Sequence, residues 1–195
     1  DSSSSRGLGD VYKRQGTIRV IDSSVNSAPI RVNTGGVVNK IENDGTISAT
    51  GSKHSRGIIS INTGIINQLI NTGTISAQGG SNSNHGIAIW NNSGTALTNS
   101  GSISGTGGSN SYGIRVGNDG NISSITNSGT ISGGTYGIAN SNNITNIINT
   151  GTITGSAGYG IDNTQGSITN LTNSQNNLTL LGSLPTNYYI KVNST

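Results

Sequence analysis

The phrase Asn-x-Gly-(Thr/Ser)-Ile-Ser returns at a fixed interval, and this period constrains the fold more than any other property of the chain. Gly45, Gly73, Gly101 and Gly129 lie 28 residues apart. They sit within Asn43-Asp44-Gly45-Thr46-Ile47-Ser48, Asn71-Thr72-Gly73-Thr74-Ile75-Ser76, Asn99-Ser100-Gly101-Ser102-Ile103-Ser104 and Asn127-Ser128-Gly129-Thr130-Ile131-Ser132. A fifth copy, Asn149-Thr150-Gly151-Thr152-Ile153-Thr154, follows after 22 residues, and Gly16-Thr17-Ile18 is an earlier partial copy. A period in this range belongs to a stacked repeat whose units touch only their neighbours, not to a globule around one core.

Each repeat holds two further apolar phrases. One is Gly-Ile: Gly57-Ile58, Gly86-Ile87-Ala88-Ile89, Gly113-Ile114-Arg115-Val116, Gly137-Ile138 and Gly160-Ile161, with Pro29-Ile30-Arg31-Val32 as its earliest form. The other runs into the next Asn-x-Gly: Val38 to Ile41, Ile66 to Ile70, Ala96-Leu97, Ile122 to Ile125, Ile144 to Ile148 and Ile168 to Leu171. Their alternation is a strand signal. Gly, Asn and Ser between them are turn residues that tolerate left-handed backbone. Three strands and three turns in 22 to 29 residues make one coil of a parallel β-helix, with coils about 4.8 Å apart. The expected fold is therefore all-β, a solenoid of about six coils over residues 16–175. A single coil cannot offset its own ordering entropy, and only stacking closes that gap. Within the stack, Asn43, Asn71, Asn99, Asn127 and Asn149, then Asn173, are expected to form a ladder of side-chain amides.

The ends do not follow the period. Residues 1–15 share nothing with the repeat and read as a leader outside it, either non-native sequence similar to adaptor read-through or a disordered tail. Residues 176–195 are denser in Leu and Tyr and read as the start of a following β module or as a C-terminal junction. Both ends read as cut, so a fragment of a longer protein is expected.

Composition excludes several functions. Charged residues are only 9% of the chain, and the formal charge of +3 is inflated by the leader. Three of ten cations (Arg6, Lys13, Arg14) and two of seven acids (Asp1, Asp10) fall there, leaving seven against five. Nucleic acid demands a dense cationic face, so no nucleic-acid partner is expected. The absence of Cys excludes disulfides and thiolate metal sites. The longest apolar runs fall far short of a membrane-spanning helix.

The phrases Asn-x-Gly-Thr-Ile-Ser and Gly-Ile, followed by Leu184-Pro185-Thr186-Asn187-Tyr188-Tyr189-Ile190-Lys191-Val192-Asn193, resemble the passenger domains of autotransporters, the type V secreted proteins of Gram-negative bacteria. The resemblance spans residues 16–195. It implies a right-handed parallel β-helix at the bacterial cell surface, linked in the full-length protein to an outer-membrane barrel. It also implies the role of a rigid spacer, an adhesin or a self-association surface, with a host or cell-surface glycan or protein, or a second copy, as partner.

The residues give little chemistry to set against that. Glycan cleavage by a β-helix requires carboxylates grouped on one face. Asp22, Glu42, Asp44, Asp119 and Asp162 recur at no common repeat position. Asp44, for example, is succeeded by Thr72, Ser100, Ser128 and Thr150. His54 and His85 fall in matching loops one coil apart, without a third ligand. No catalytic residue, metal or cofactor is expected, and the chain reads as non-enzymatic. A carbohydrate-binding or carbohydrate-cleaving β-helix is the alternative.

Two outward columns stand out. Arg56, His85, Tyr112, Tyr136 and Tyr159 each precede the Gly of the Gly-Ile phrase. The three tyrosines are expected to stack, either to stabilise the face or as a platform for sugars or a partner, with Trp90 at a nearby turn. The second column, Thr46-x-Ser48 to Thr152-x-Thr154, resembles the flat hydroxyl face of ice-binding β-helices. Its many serines lack the methyl groups such a face uses, which makes ice binding a remote alternative.

Overall fold

The computed structural model describes residues 11–14, 16–21, 26–91 and 94–190. Among these residues every regular element is a β-strand, and every strand pairing is parallel. The strands form three sheets of eight, eight and six. Each recurring phrase of the sequence builds one of them. The chain passes through the Thr-Ile sheet, for example Thr74–Gly79, then the Gly-Ile sheet at Ser83–Asn91, then the Asn sheet at Thr95–Asn99, and re-enters the first at Ser102–Thr106. A strand is flanked by its equivalents one period away: Ile103 stands beside both Ile75 and Ile131. The three-sided parallel β-helix read from the repeat is the fold.

Burial follows the alternation. The central Ile of the Thr-Ile sheet (Ile47, Ile75, Ile103, Ile131, Ile153) and the Ile after each Gly of the Gly-Ile sheet (Ile58, Ile87, Ile114, Ile138, Ile161) are sealed in one continuous core. Apolar side chains of the Asn sheet, including Leu69, Leu97, Ile125 and Ile147, close the third side.

The glycines of Asn-x-Gly have a different purpose from the one expected. Their φ values are not left-handed. A Cβ on Gly101 would instead lie 2.0 Å from the backbone oxygen of Gly73, and one on Gly129 would lie 2.1 Å from that of Gly101. Glycine is required so that one turn can sit directly on the next. The turn backbones hydrogen-bond at that spacing, as Ser102 N–H does to Gly73 O at 2.8 Å and Thr130 N–H to Gly101 O at 2.9 Å.

The asparagines of the same phrase lie on the inner side of that turn, buried. Each Nδ2 donates to the Oδ1 of the Asn on the next coil: Asn43 to Asn71 at 2.7 Å, Asn71 to Asn99, Asn99 to Asn127 and Asn127 to Asn149 at 2.8 Å, and Asn149 to Asn173 at 2.9 Å. Asn99 Nδ2 also lies 3.2 Å from the carbonyls of Gly101 and Thr130, so the amide joins its own turn to the coil above. A second, shorter ladder in the Gly-Ile sheet runs from Asn140 to Asn163 at 2.8 Å and on to the Ser183 carbonyl.

The two ends join the sheets. Val11–Arg14, within the stretch expected as a leader, pairs with Val37–Asn43 and adds an edge strand to the Asn sheet. Residues 1–10 and 15 lie outside the described residues. In the tail, Leu180–Gly182 stacks on the Gly-Ile sheet and Asn187–Ile190 on the Asn sheet. The Thr-Ile sheet has no strand at this level. The Gln175 amide takes its place: Oε1 accepts from Ile153 N–H at 2.7 Å and Nε2 donates to Ile153 O at 3.2 Å. A side-chain amide thus imitates the missing peptide group at the sheet edge.

Candidate functional site

The outer faces of the three sheets differ. The Thr-Ile sheet presents hydroxyls: Thr46, Thr74, Ser102, Thr130 and Thr152 form one column, and Ser48, Ser76, Ser104, Ser132 and Thr154 another. The Asn sheet presents amides, with outward pairs such as Asn39–Asn67 and Asn146–Asn170. Stacked aromatic and cationic side chains run along the Gly-Ile sheet, while Arg19 on the Thr-Ile sheet and Lys40, Tyr188 and Tyr189 on the Asn sheet lie toward the two ends of the stack.

There the residue before each Gly points outward. Arg56, His85, Tyr112 and Tyr136 are in register on successive strands. The Gly that follows turns the backbone inward: a Cβ on Gly86, Gly113 or Gly137 would stand 2.7 Å from Cγ2 of Ile103, Ile131 or Ile153. These glycines are set by the core.

The expected tyrosine column is modified. Parallel stacking includes His85 on Tyr112, with centroids 5.0 Å apart and planes 4° apart, and Tyr112 on Tyr136, at 5.8 Å and 3°. Tyr159 instead meets Tyr136 edge-on, at 6.5 Å and 63°. It lies in an irregular loop after Gly158, whose φ is +92°, and outside any strand, so the pleat does not orient its ring.

A second outward column contains Arg31, Ile59, Ala88, Arg115, Ala139 and Asp162. The Arg115 guanidinium lies 5.7 Å from the ring centroids of both Trp90 and Tyr112, a doubled cation–π contact. Trp90 stands near the end of the Ser83–Asn91 strand, not in a turn. Its ring covers Gly117, where a Cβ would come within 2.4 Å of it. Arg31, Arg56, Ile59, Ile61 and Trp90, with Asn26 to Ala28, surround a cavity of about 240 Å³. The charge of this face was missed because its arginines come from different coils and two columns. The signal was present in Arg56, which leads the tyrosine column.

His85 is almost fully enclosed at 2% exposure, and its Nδ1 has no hydrogen-bond partner. Burial, then the Arg56 and Arg115 charges, push its pKa down to about 3, against a weaker opposing contact with the Asn84 backbone. A folded-state pKa below the unfolded 6.5 means that the unfolded chain binds the extra proton between these values. Stability is then complete above about pH 6.5 and falls as pH drops toward 3. One such group amounts to roughly 3–5 kcal/mol across that window. His85→Tyr continues the column without a titrating ring. Its melting temperature, followed by circular dichroism from pH 7 to 4, is expected to fall less than that of the unaltered chain. Parallel losses would show that His85 is not the group responsible.

Of the acids, only Glu42 and Asp44 come together among the described residues. Glu42 forms an ion pair with Lys40. Asp44 is exposed at the adjoining turn, where both carboxylates border a shallow cavity of about 200 Å³. Asp119 is exposed at the end of its strand, Asp162 follows Ala139 in the second outward column, and Asp22 lies outside the described residues. His54 is in register with Ser83 rather than His85, so the two histidines are offset along the sheet. Among the described residues no group of three His, Asp or Glu is placed to hold a metal ion.

Fold and face together define a three-sided parallel β-solenoid with an aromatic and cationic strip along one side. No family model matches the chain, and neither a curated protein nor a solved structure matches it.

Proposed function

We propose that this chain is a rigid, non-enzymatic segment of an autotransporter-type passenger at the bacterial cell surface, and that the outer face of its Gly-Ile sheet is the contact surface. The observation that carries this reading is the sorting of side chains among three otherwise similar faces. The middle coils of two faces present mainly short hydroxyls and amides that water solvates well, with Tyr188, Tyr189 and Ile190 exposed only on the last strand of the Asn sheet. The third presents Arg56, Tyr112, Tyr136, Arg115 and Trp90 on one rigid sheet, with His85 enclosed beneath them. Aromatic and Arg side chains are the residues that dominate recognition surfaces. They are ordered here before any partner arrives, so little side-chain entropy remains to be lost on binding. The two carboxylates that share a cavity, Glu42 and Asp44, lie at the Asn sheet away from this face, and Glu42 is paired with Lys40, which supports a binding role for the Gly-Ile face over glycan cleavage there.

Replacing Tyr112, Tyr136 and Tyr159 together by Ser tests the reading. With the chain displayed on Gram-negative cells, the variant is expected to lose most adhesion or cell–cell aggregation while keeping its strand circular dichroism. Adhesion equal to the unaltered chain, with only a lower melting temperature, would leave the column a stabilising stack and the segment a spacer.

A further inference from the structure

The cavity beside Trp90 combines features that the column alone does not explain. Two guanidinium groups, Arg31 and Arg56, border it, and Arg31 is exposed. Among the described residues neither has a carboxylate partner; the ion pair present there is Lys40–Glu42 on the Asn sheet. Arg56 Nε is buried without an acceptor, and so is the Ser27 hydroxyl on the same wall. Such donors are costly to leave unmet. Asn26 also borders it, and the rest of the wall is apolar: Ala28, Ile59, Ile61 and the Trp90 indole. Trp90 is held from below by Gly117 and against Arg115, which does not border the cavity. The indole is therefore positioned in advance.

We propose that this cavity binds a sugar residue carrying a carboxylate, as one unit of an acidic glycan lying along the Gly-Ile face. The carboxylate sits between Arg31 and Arg56, where a planar fork can grip both oxygens. The C–H face of the pyranose covers Trp90 and the two isoleucines. The volume suits one ring, being below the roughly 300–1,000 Å³ that encloses drug-sized ligands. The cavity is open on the outer face, and beyond it Tyr112 and Tyr136 continue the strip for neighbouring units. The charges favour the same occupant. Burial first, and then the Arg31 charge, lower the proton affinity of Arg56, and an anion between the two guanidiniums relieves the repulsion. A glutamate or aspartate side chain offers the carboxylate but no ring for the indole. This inference rests on the Gly-Ile face being a contact surface, and it adds the ligand class.

Titration of the full chain by ligand-observed NMR separates the alternatives, with methyl β-glucuronide, its neutral counterpart methyl β-glucoside, acetate and a Glu-containing tripeptide as probes. The glucuronide is expected to bind at least tenfold more tightly than each of the others. Arg31→Gln and Trp90→Leu are each expected to weaken it tenfold or more. Arg31 is exposed, so its replacement leaves the fold intact, and unchanged melting confirms this. Equal binding of glucoside, acetate or tripeptide would overturn the ligand class, as would an Arg31→Gln variant that keeps full affinity. If no acidic sugar binds but the triple tyrosine variant still abolishes adhesion, the cavity assignment falls and the contact surface stands. If the sugar binds and that variant adheres normally, the reverse holds.

Discussion

Ile131→Asp abolishes cooperative melting at temperatures where the unaltered chain is folded. Ile131 is fully buried, stands between Ile103 and Ile153 in its sheet, and its Cγ2 lies against the inward backbone of Gly113. An Asp there has no cation within the core cluster, which consists of aliphatic side chains. It must either remain charged without a partner or take up a proton, and it also loses the packing of the Ile. The expected destabilisation is about 4 kcal/mol or more, a large part of the roughly 5–15 kcal/mol that holds a domain together. In a stack of coils stability is shared between neighbours, so the damage spreads to the coils above and below. Circular dichroism melting and limited proteolysis measure it, with first cleavage expected in the surrounding coils. A variant that melts like the unaltered chain would mean that Ile131 faces outward.

Asn99→Leu is the second large effect, and it separates polar from apolar contributions to the core. Leu matches Asn closely enough in size to fill the site, so the loss is chiefly of hydrogen bonds. The Asn99 amide accepts from Asn71 Nδ2 and donates to Asn127 Oδ1, each at 2.8 Å, and it also meets the carbonyls of Gly101 and Thr130. Removing it orphans the buried Asn127 Oδ1, costs Asn71 Nδ2 its shortest acceptor while the Gly73 and Ser102 carbonyls remain, and frees the Gly101 and Thr130 carbonyls of their amide donor, at about 1–3 kcal/mol for each group left unmet. A total near 3–5 kcal/mol is expected from chemical denaturation. Asn43→Leu, at the start of the ladder, breaks fewer contacts, since Asn43 Oδ1 has no partner to lose. Equal losses at the two positions would show that the ladder contributes no more than local packing.

The period and the alternation of Ile determined the architecture without help from coordinates. A stacked coil must place equivalent residues over one another, so Gly45, Gly73, Gly101 and Gly129 had to form a column. Strand pleating then dictated that Ile103 faces in while Ser102 and Ser104 face out. The same reasoning found the pre-Gly column from Arg56 to Tyr159, although its intervals of 29, 27, 24 and 23 residues are irregular. Tertiary structure decided what depends on distance across coils. The Asn-x-Gly glycines exist for turn-to-turn contact near 2 Å from a would-be Cβ, a quantity absent from local backbone preference. Tyr159 leaves the stack because it lies in a loop after Gly158 rather than on a strand. Gln175 replaces a strand because its amide happens to reach Ile153. The cavity of Arg31, Arg56 and Trp90 draws on three coils and more than one column. A sequence specifies the direction of each side chain along its own strand, but the neighbours of that side chain on other coils are set by register and loop length, which only the folded stack defines.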